Sequence, residues 1–227
     1  SNPTIFEKAI AAGHAYDESV AELVAQGLAD ADIFESVAVA DIQAACDLFR
    51  ELYDSSNGGD GFVSIEVSPL GARDAERTEA DARRLWQSVN RPNLMVKIPG
   101  TLEGSPVVQH LLDEGININI TLLFSVEAYE RVARAYIEAL KARHARGESI
   151  DRIASVASFF VSRVDALVDK QLDALIAGTT DEATQAKLAA LKGKAAIANA
   201  KLAYKAYQDL FSGSEWETLA AAGAKVQ

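Results

Sequence analysis

An apolar run, Leu94-Met95-Val96-Lys97-Ile98-Pro99-Gly100-Thr101, carries a lysine at its centre. A short run of such residues ended by Pro-Gly predicts a buried strand. Lysine is almost never fully buried unpaired, because taking an ammonium out of water is expensive. The same loss of water favours the neutral amine, which is the nucleophilic form. Lys97 is therefore a candidate Schiff-base former. Taken alone, the run is better read as a lysine snorkelling from a strand end.

Other polar residues share its setting. Ser64, Glu66 and Ser68 alternate with Ile65 and Val67, and Lys97 alternates with Val96 and Ile98. Asn117, Asn119 and Thr121 alternate with Ile118, Ile120 and Leu122, and Ser158 stands between Ala157 and Phe159. Together they suit carbonyl chemistry. Neutral Lys97 can attack a ketone to form an iminium, the electron sink for breaking or making the adjacent carbon–carbon bond. Glu66 can activate a water as general acid or base, with the Thr121 hydroxyl as its relay. Asn119 can hold substrate hydroxyls. Ser158 and Arg163, the latter at the start of the next helical stretch, can bind a phosphate beside a helix N-terminus.

The elements that must position these residues follow from periodicity. From Ile5 to about Ser55 apolar residues recur at helical spacing, and Ser56-Asn57-Gly58-Gly59-Asp60-Gly61 then predicts a turn. Short apolar runs at Phe62–Val67, Leu94–Ile98, Ile116–Leu122 and Ile153–Val161 alternate with helical stretches at Ala72–Val89, Ser105–Asp113 and Ser125–Arg146. The remainder is helical to about Ala222, with capping-box spacing at Thr179–Glu182 and Ser212–Glu215. Strands alternating with helices predict parallel βα units in a single domain over 1–227. Strands of an open parallel sheet are covered on both faces and read as continuous apolar runs. Here one face of each strand is polar, which predicts a TIM (β/α)8-type barrel whose lumen collects those groups at the carboxyl ends of the strands.

Composition sets limits on partners. The 227 residues carry a formal charge of −11 with no basic cluster, so nucleic acid and anionic membrane are poor partners. No apolar run approaches the ~20 residues of a membrane span, and no signal peptide is visible. The single cysteine, Cys46, excludes an internal disulfide and fits a reducing, cytoplasmic setting. His14, His110 and His144 lack metal-ligand spacing, so neither a metal nor a cofactor is expected. Monomer and homodimer both stay open.

The motifs Ser1-Asn2-Pro3-Thr4-Ile5-Phe6, Ser64-Ile65-Glu66-Val67, Val96-Lys97-Ile98-Pro99-Gly100-Thr101, Asn119-Ile120-Thr121-Leu122-Leu123-Phe124-Ser125 and Ser158-Phe159-Phe160-Val161-Ser162-Arg163 resemble those of the transaldolase family in order and spacing. The long helical content after Arg163 resembles the bacterial type, found alone or fused to a phosphoglucose isomerase. The resemblance implies a β/α barrel and a pentose phosphate pathway transferase acting on sugar phosphates. Such an enzyme moves a dihydroxyacetone unit between sedoheptulose 7-phosphate and glyceraldehyde 3-phosphate on one side, and erythrose 4-phosphate and fructose 6-phosphate on the other. It implies Lys97 as the Schiff-base lysine, Glu66 and Thr121 on the catalytic water, Asn2 and Asn119 on substrate hydroxyls, and Ser158 and Arg163 on the phosphate. Phe160 stands where related fructose-6-phosphate aldolases carry tyrosine, which favours group transfer. The resemblance also places an aspartate strand upstream of Ser1, and a second phosphate-binding arginine with the last two strands beyond Gln227. The sequence is therefore expected to be incomplete relative to the working enzyme. A Schiff-base aldolase releasing a free product, and a non-catalytic truncated barrel serving as an interaction module, are the alternatives.

Overall fold

The computed structural model describes residues 3–226. Four helices come first: α1 (Pro3–Ala12), α2 (Asp17–Ala25), α3 (Asp30–Leu48) and α4 (Arg50–Ser55). Strands and helices then alternate: β1 (Val63–Glu66), α5 (Ala75–Val89), β2 (Leu94–Pro99), α6 (Gly104–Asp113), β3 (Ile118–Leu123), α7 (Val126–Ala145) and β4 (Ser155–Phe159). Helices α8 (Ser162–Ala177), α9 (Glu182–Ala189), α10 (Ala195–Leu210) and α11 (Ser214–Ala221) follow.

The four strands lie side by side in chain order, every neighbour parallel. A helix connects each strand to the next. This is α/β architecture built from consecutive βα units in the order of a TIM-type barrel. Residues of one strand parity, Ile65, Val67, Val96, Ile98, Ile118, Ile120 and Leu123, are buried in one cluster with Leu85, Val108, Leu111, Val132 and Leu140 of α5, α6 and α7. Burying each such side chain contributes about 1.5–3 kcal/mol, so this layer fixes which way the opposite parity points.

Asn93 locks the entry to the sheet. Its amide is fully buried and donates to the Cys46 carbonyl at 2.8 Å and the Gly61 carbonyl at 2.9 Å. Gly61 has φ +80°, and a Cβ there would lie 2.6 Å from the Tyr53 amide nitrogen, so the turn before β1 needs glycine.

β3 contains a bulge. Its register against β4 shifts between Ile120 and Leu123, so Thr121 and Leu122 together face the single residue Ser158. Leu122 has φ +60°, a conformation that non-glycine residues rarely adopt, and it is exposed while Leu123 is fully buried.

Two details differ from what the sequence predicts. The first helical region is broken at Gly13–Tyr16 and Gln26–Ala29, because apolar spacing alone does not register the breaks between short helices. Neither capping box forms. Asp181 caps α9 by accepting from the Thr184 amide at 3.0 Å, and a carboxylate is favoured there over a hydroxyl by the helix dipole. At α11 the Ser212 hydroxyl donates instead to the Asp209 carbonyl, and Gly213 takes the cap position.

Candidate active site

The polar parity predicted from sequence converges on the concave face of the sheet. Register places Glu66, Lys97 and Asn119 in one row across β1, β2 and β3. Lys97 Nζ lies 3.3 Å from Glu66 Oε2, with both side chains mostly shielded. The lysine is thus not the unpaired buried amine that its run alone suggests. The carboxylate compensates its burial and stands ready to exchange a proton with it, directly or through a water.

Asn119 links three strands. Its Nδ2 donates to Ser64 Oγ at 3.1 Å, and its Oδ1 accepts from Ser158 Oγ at 2.8 Å. Ser64 belongs to β1 and Asn119 to β3, whose axes in a flat sheet stand about 9.5 Å apart. Short side chains can meet over that span only if the sheet curls toward them. Alternate strands sharing one layer of side chains is the packing rule of a β/α barrel interior.

Thr121 is buried beside this cluster and paired in register with Pro99. Among the described residues its hydroxyl makes no direct hydrogen bond to Glu66, so a relay between them needs an intervening water. Asn2 lies outside the described residues. Thr101 sets the height of the strand ends, donating to the Ala72 carbonyl at 2.8 Å and accepting from the Gly104 amide at 3.0 Å. Gly100 lies so close to β3 that a Cβ would stand 2.4 Å from Leu123 Cδ2, a side chain that is itself fully buried.

Arg163 and Phe160 form a second group at the end of β4. The guanidinium carbon of Arg163, on the first turn of α8, lies 4.9 Å from the Phe160 ring centroid. Phe160 in turn packs on Phe124, ring centroids 4.9 Å apart and planes 31° apart. Among the described residues Arg163 has no carboxylate partner, which leaves its donors available to an anion. No side chain caps the α8 N-terminus.

An apolar cavity of about 270 Å³ lies on the other face of the sheet, between β3, β4, α7 and α10. Ile120, Ala157 and Phe159 line it beside Tyr129, Tyr136 and Tyr207. Burial raises the Tyr129 phenol to about 12 and pushes Tyr136 higher still, so neither exchanges protons near neutrality. The chemistry-bearing groups are on the concave side. No group of acids, histidines and cysteine among the described residues could hold a metal ion, and no described helix is long and apolar enough to cross a membrane.

Sequence reasoning missed three members of this arrangement. Ser64 carried the right parity, but its partnership with Asn119 depends on curvature. Phe124 reads as a packing residue ahead of a helix. Asn199, from α10, donates to the Phe124 carbonyl at 2.8 Å across a separation that no local pattern encodes.

A family model described as transaldolase/fructose-6-phosphate aldolase matches residues 1–227. The chain is 50% identical over 227 residues to a transaldolase of Trichodesmium erythraeum, covering all of this chain and 60% of that protein. It is 53% identical over 228 residues to a transaldolase 2 of Nostoc punctiforme and 48% identical over 227 residues to a transaldolase of Thermobifida fusca, again covering all of this chain and 60% of each. The chain thus spans about 60% of the length of these curated relatives.

Proposed function

The chain belongs to the transaldolase/fructose-6-phosphate aldolase family, and from that premise we propose that it serves a transaldolase that carries a dihydroxyacetone unit from a ketose phosphate to an aldose phosphate on Lys97. The Lys97–Glu66 pair at 3.3 Å, in one row with Asn119, is the observation that carries the reading.

The amine of Lys97 attacks the ketone carbon, and the carbonyl oxygen leaves as water to give the iminium. Glu66 moves the protons of that step through a water, with the Thr121 hydroxyl holding the water from the other side. The bond between C3 and C4 of the ketose then breaks. Its electron pair flows into the iminium to form an enamine, while the C4 hydroxyl gives its proton to the active-site water and the aldehyde departs; the acceptor's oxygen takes a proton back from that water when the new bond forms. The enamine carbon attacks the acceptor aldehyde, and water returned through Glu66 hydrolyses the new iminium. Asn119, oriented from both sides by Ser64 and Ser158, holds substrate hydroxyls during these steps, a role Asn2 shares.

The phosphate binds at Ser158, Arg163 and the α8 N-terminus. With an overall charge of −11, a local cation is needed to hold an anionic substrate against the field of the protein. Phe160 favours transfer over release of a free product, because its ring offers no hydroxyl to deliver the proton that the enamine carbon must gain before hydrolysis can free the ketone. The continuous core from Ile42 to Ala224 supports treating residues 1–227 as one domain.

Borohydride reduction in the presence of fructose 6-phosphate tests the reading. Peptide mass mapping should find a reduced three-carbon adduct on Lys97, and none in Lys97→Ala. An unmodified Lys97, or an adduct on a different lysine, rejects it.

A further inference from the structure

We propose that Phe124 and Asn199 are positioning residues for the guanidinium of Arg163, acting through the ring of Phe160. The inference rests on the reading of Arg163 as a phosphate ligand.

Arg163 is exposed at the rim of the site, and a free arginine side chain there samples many rotamers that binding must freeze. Stacking against Phe160 at 4.9 Å restricts that freedom in advance. It does so without a hydrogen-bond acceptor, because the ring attracts the cation through its quadrupole and not through a lone pair. The ring is therefore a platform that aims Arg163 yet leaves its donors open to a phosphate.

The platform is itself supported. The Phe160 amide donates to the Leu123 carbonyl at 2.8 Å, which fixes its backbone against the end of β3. Its ring rests on Phe124, a residue 39% exposed to solvent. Asn199 holds the Phe124 backbone from α10 through the 2.8 Å bond to its carbonyl. α10 is in turn docked on α8, because Asp165 Oδ1 accepts from the Ala196 amide at 2.8 Å and Asp169 Oδ1 from the Gly193 amide at 3.0 Å. The contacts close a circuit. It runs from α8 to α10, on through Asn199, Phe124 and Phe160, and back to Arg163 on α8.

The test compares the 227-residue chain with its Phe124→Ala, Phe124→Tyr, Asn199→Ala and Arg163→Ala variants. Each is titrated with fructose 6-phosphate and with fructose, and the Arg163 Nε–Hε resonance is followed by NMR. In the unaltered protein the Phe160 ring current should displace that resonance upfield. Phe124→Ala should return it downfield and weaken fructose 6-phosphate binding roughly two- to fivefold, the equivalent of a surface cation–π contact. Fructose binding should stay unchanged. Phe124→Tyr should restore both readouts, and Asn199→Ala should move both in the same direction by less.

Wild-type resonance and affinity in both Phe124→Ala and Asn199→Ala, alongside lost phosphate preference in Arg163→Ala, overturn the proposal. If Arg163→Ala keeps full affinity, the phosphate reading falls and the resonance alone decides: a downfield shift supports positioning, an unmoved signal rejects it. Should Phe124→Ala fail to fold by circular dichroism, Asn199→Ala decides on the same two readouts.

Discussion

Asn119 Nδ2 reaches over β2 to donate to Ser64 Oγ at 3.1 Å. The contact records the curvature of the sheet and, with the Ser158 bond, holds the amide between the two serines. Asn119→Ala removes the partner of both serines and should cost about 2 kcal/mol, against about 1 kcal/mol for Ser64→Ala. Urea denaturation of the two variants checks the order. Equal losses would mean that the Ser158 bond contributes nothing.

Glu66→Gln keeps the shape of the side chain and removes the proton acceptor beside Lys97. The rate of borohydride-trapped adduct formation should fall roughly 10²- to 10⁴-fold, the usual range for a general acid–base group. A rate within twofold of the parent protein would leave Glu66 only as a charge partner.

Burial raises the Cys46 thiol to about 11, so it stays protonated and unreactive in the folded protein at pH 8. A thiol-specific dye should react only after denaturant is added. The sign of the accompanying pH effect is definite. Above the ordinary value near 9 the unfolded chain releases this proton and the folded chain keeps it, so stability declines from about pH 9 to about pH 11. Cys46→Ala should flatten that part of the curve. An unchanged slope would show that other groups cause it.

Leu122 occupies a left-handed conformation at φ +60°. A β-branched residue fits that region worse still, so Leu122→Val should lower stability by about 1–2 kcal/mol although it is only a small change in size. Leu122→Gly removes the backbone penalty and should be neutral or stabilising by up to about 1 kcal/mol. Calorimetric melting temperatures that rank valine above glycine would contradict the bulge assignment.

Much of this arrangement was legible because alternation is a local signal. The row Glu66, Lys97 and Asn119 follows from parity in three separate runs, and parallel order follows from the helices between them. Arg163 was placed correctly at a helix start because the end of the strand before it was visible. What stayed hidden depends on distance in the chain. Asn199 bonds a residue 75 positions earlier, and Phe124 acts through ring stacking that hydrophobicity cannot distinguish from ordinary packing. The missed caps have a different cause: Thr179 and Ser212 matched a spacing rule, but a nearby aspartate and a nearby carbonyl offered better bonds.

The bulge in β3 also bears on how this segment tolerates change in length. Regular strands tolerate no lost residue without a change of face, whereas the end of β3 holds one residue more than β4 needs. Deleting Leu122 would leave Thr121 alone opposite Ser158, so the ladder to β4 would continue without interruption and Leu123 and Phe124 would keep the faces they now occupy. Deleting Asn119 instead would turn Ile120 into the lumen beside Lys97 and Thr121 into the core, because the surplus residue would be absorbed downstream of them. Single-residue deletion should therefore be tolerated better at Leu122 than at Asn119 or Ile120, a contrast that a deletion scan across residues 118–126 would display directly.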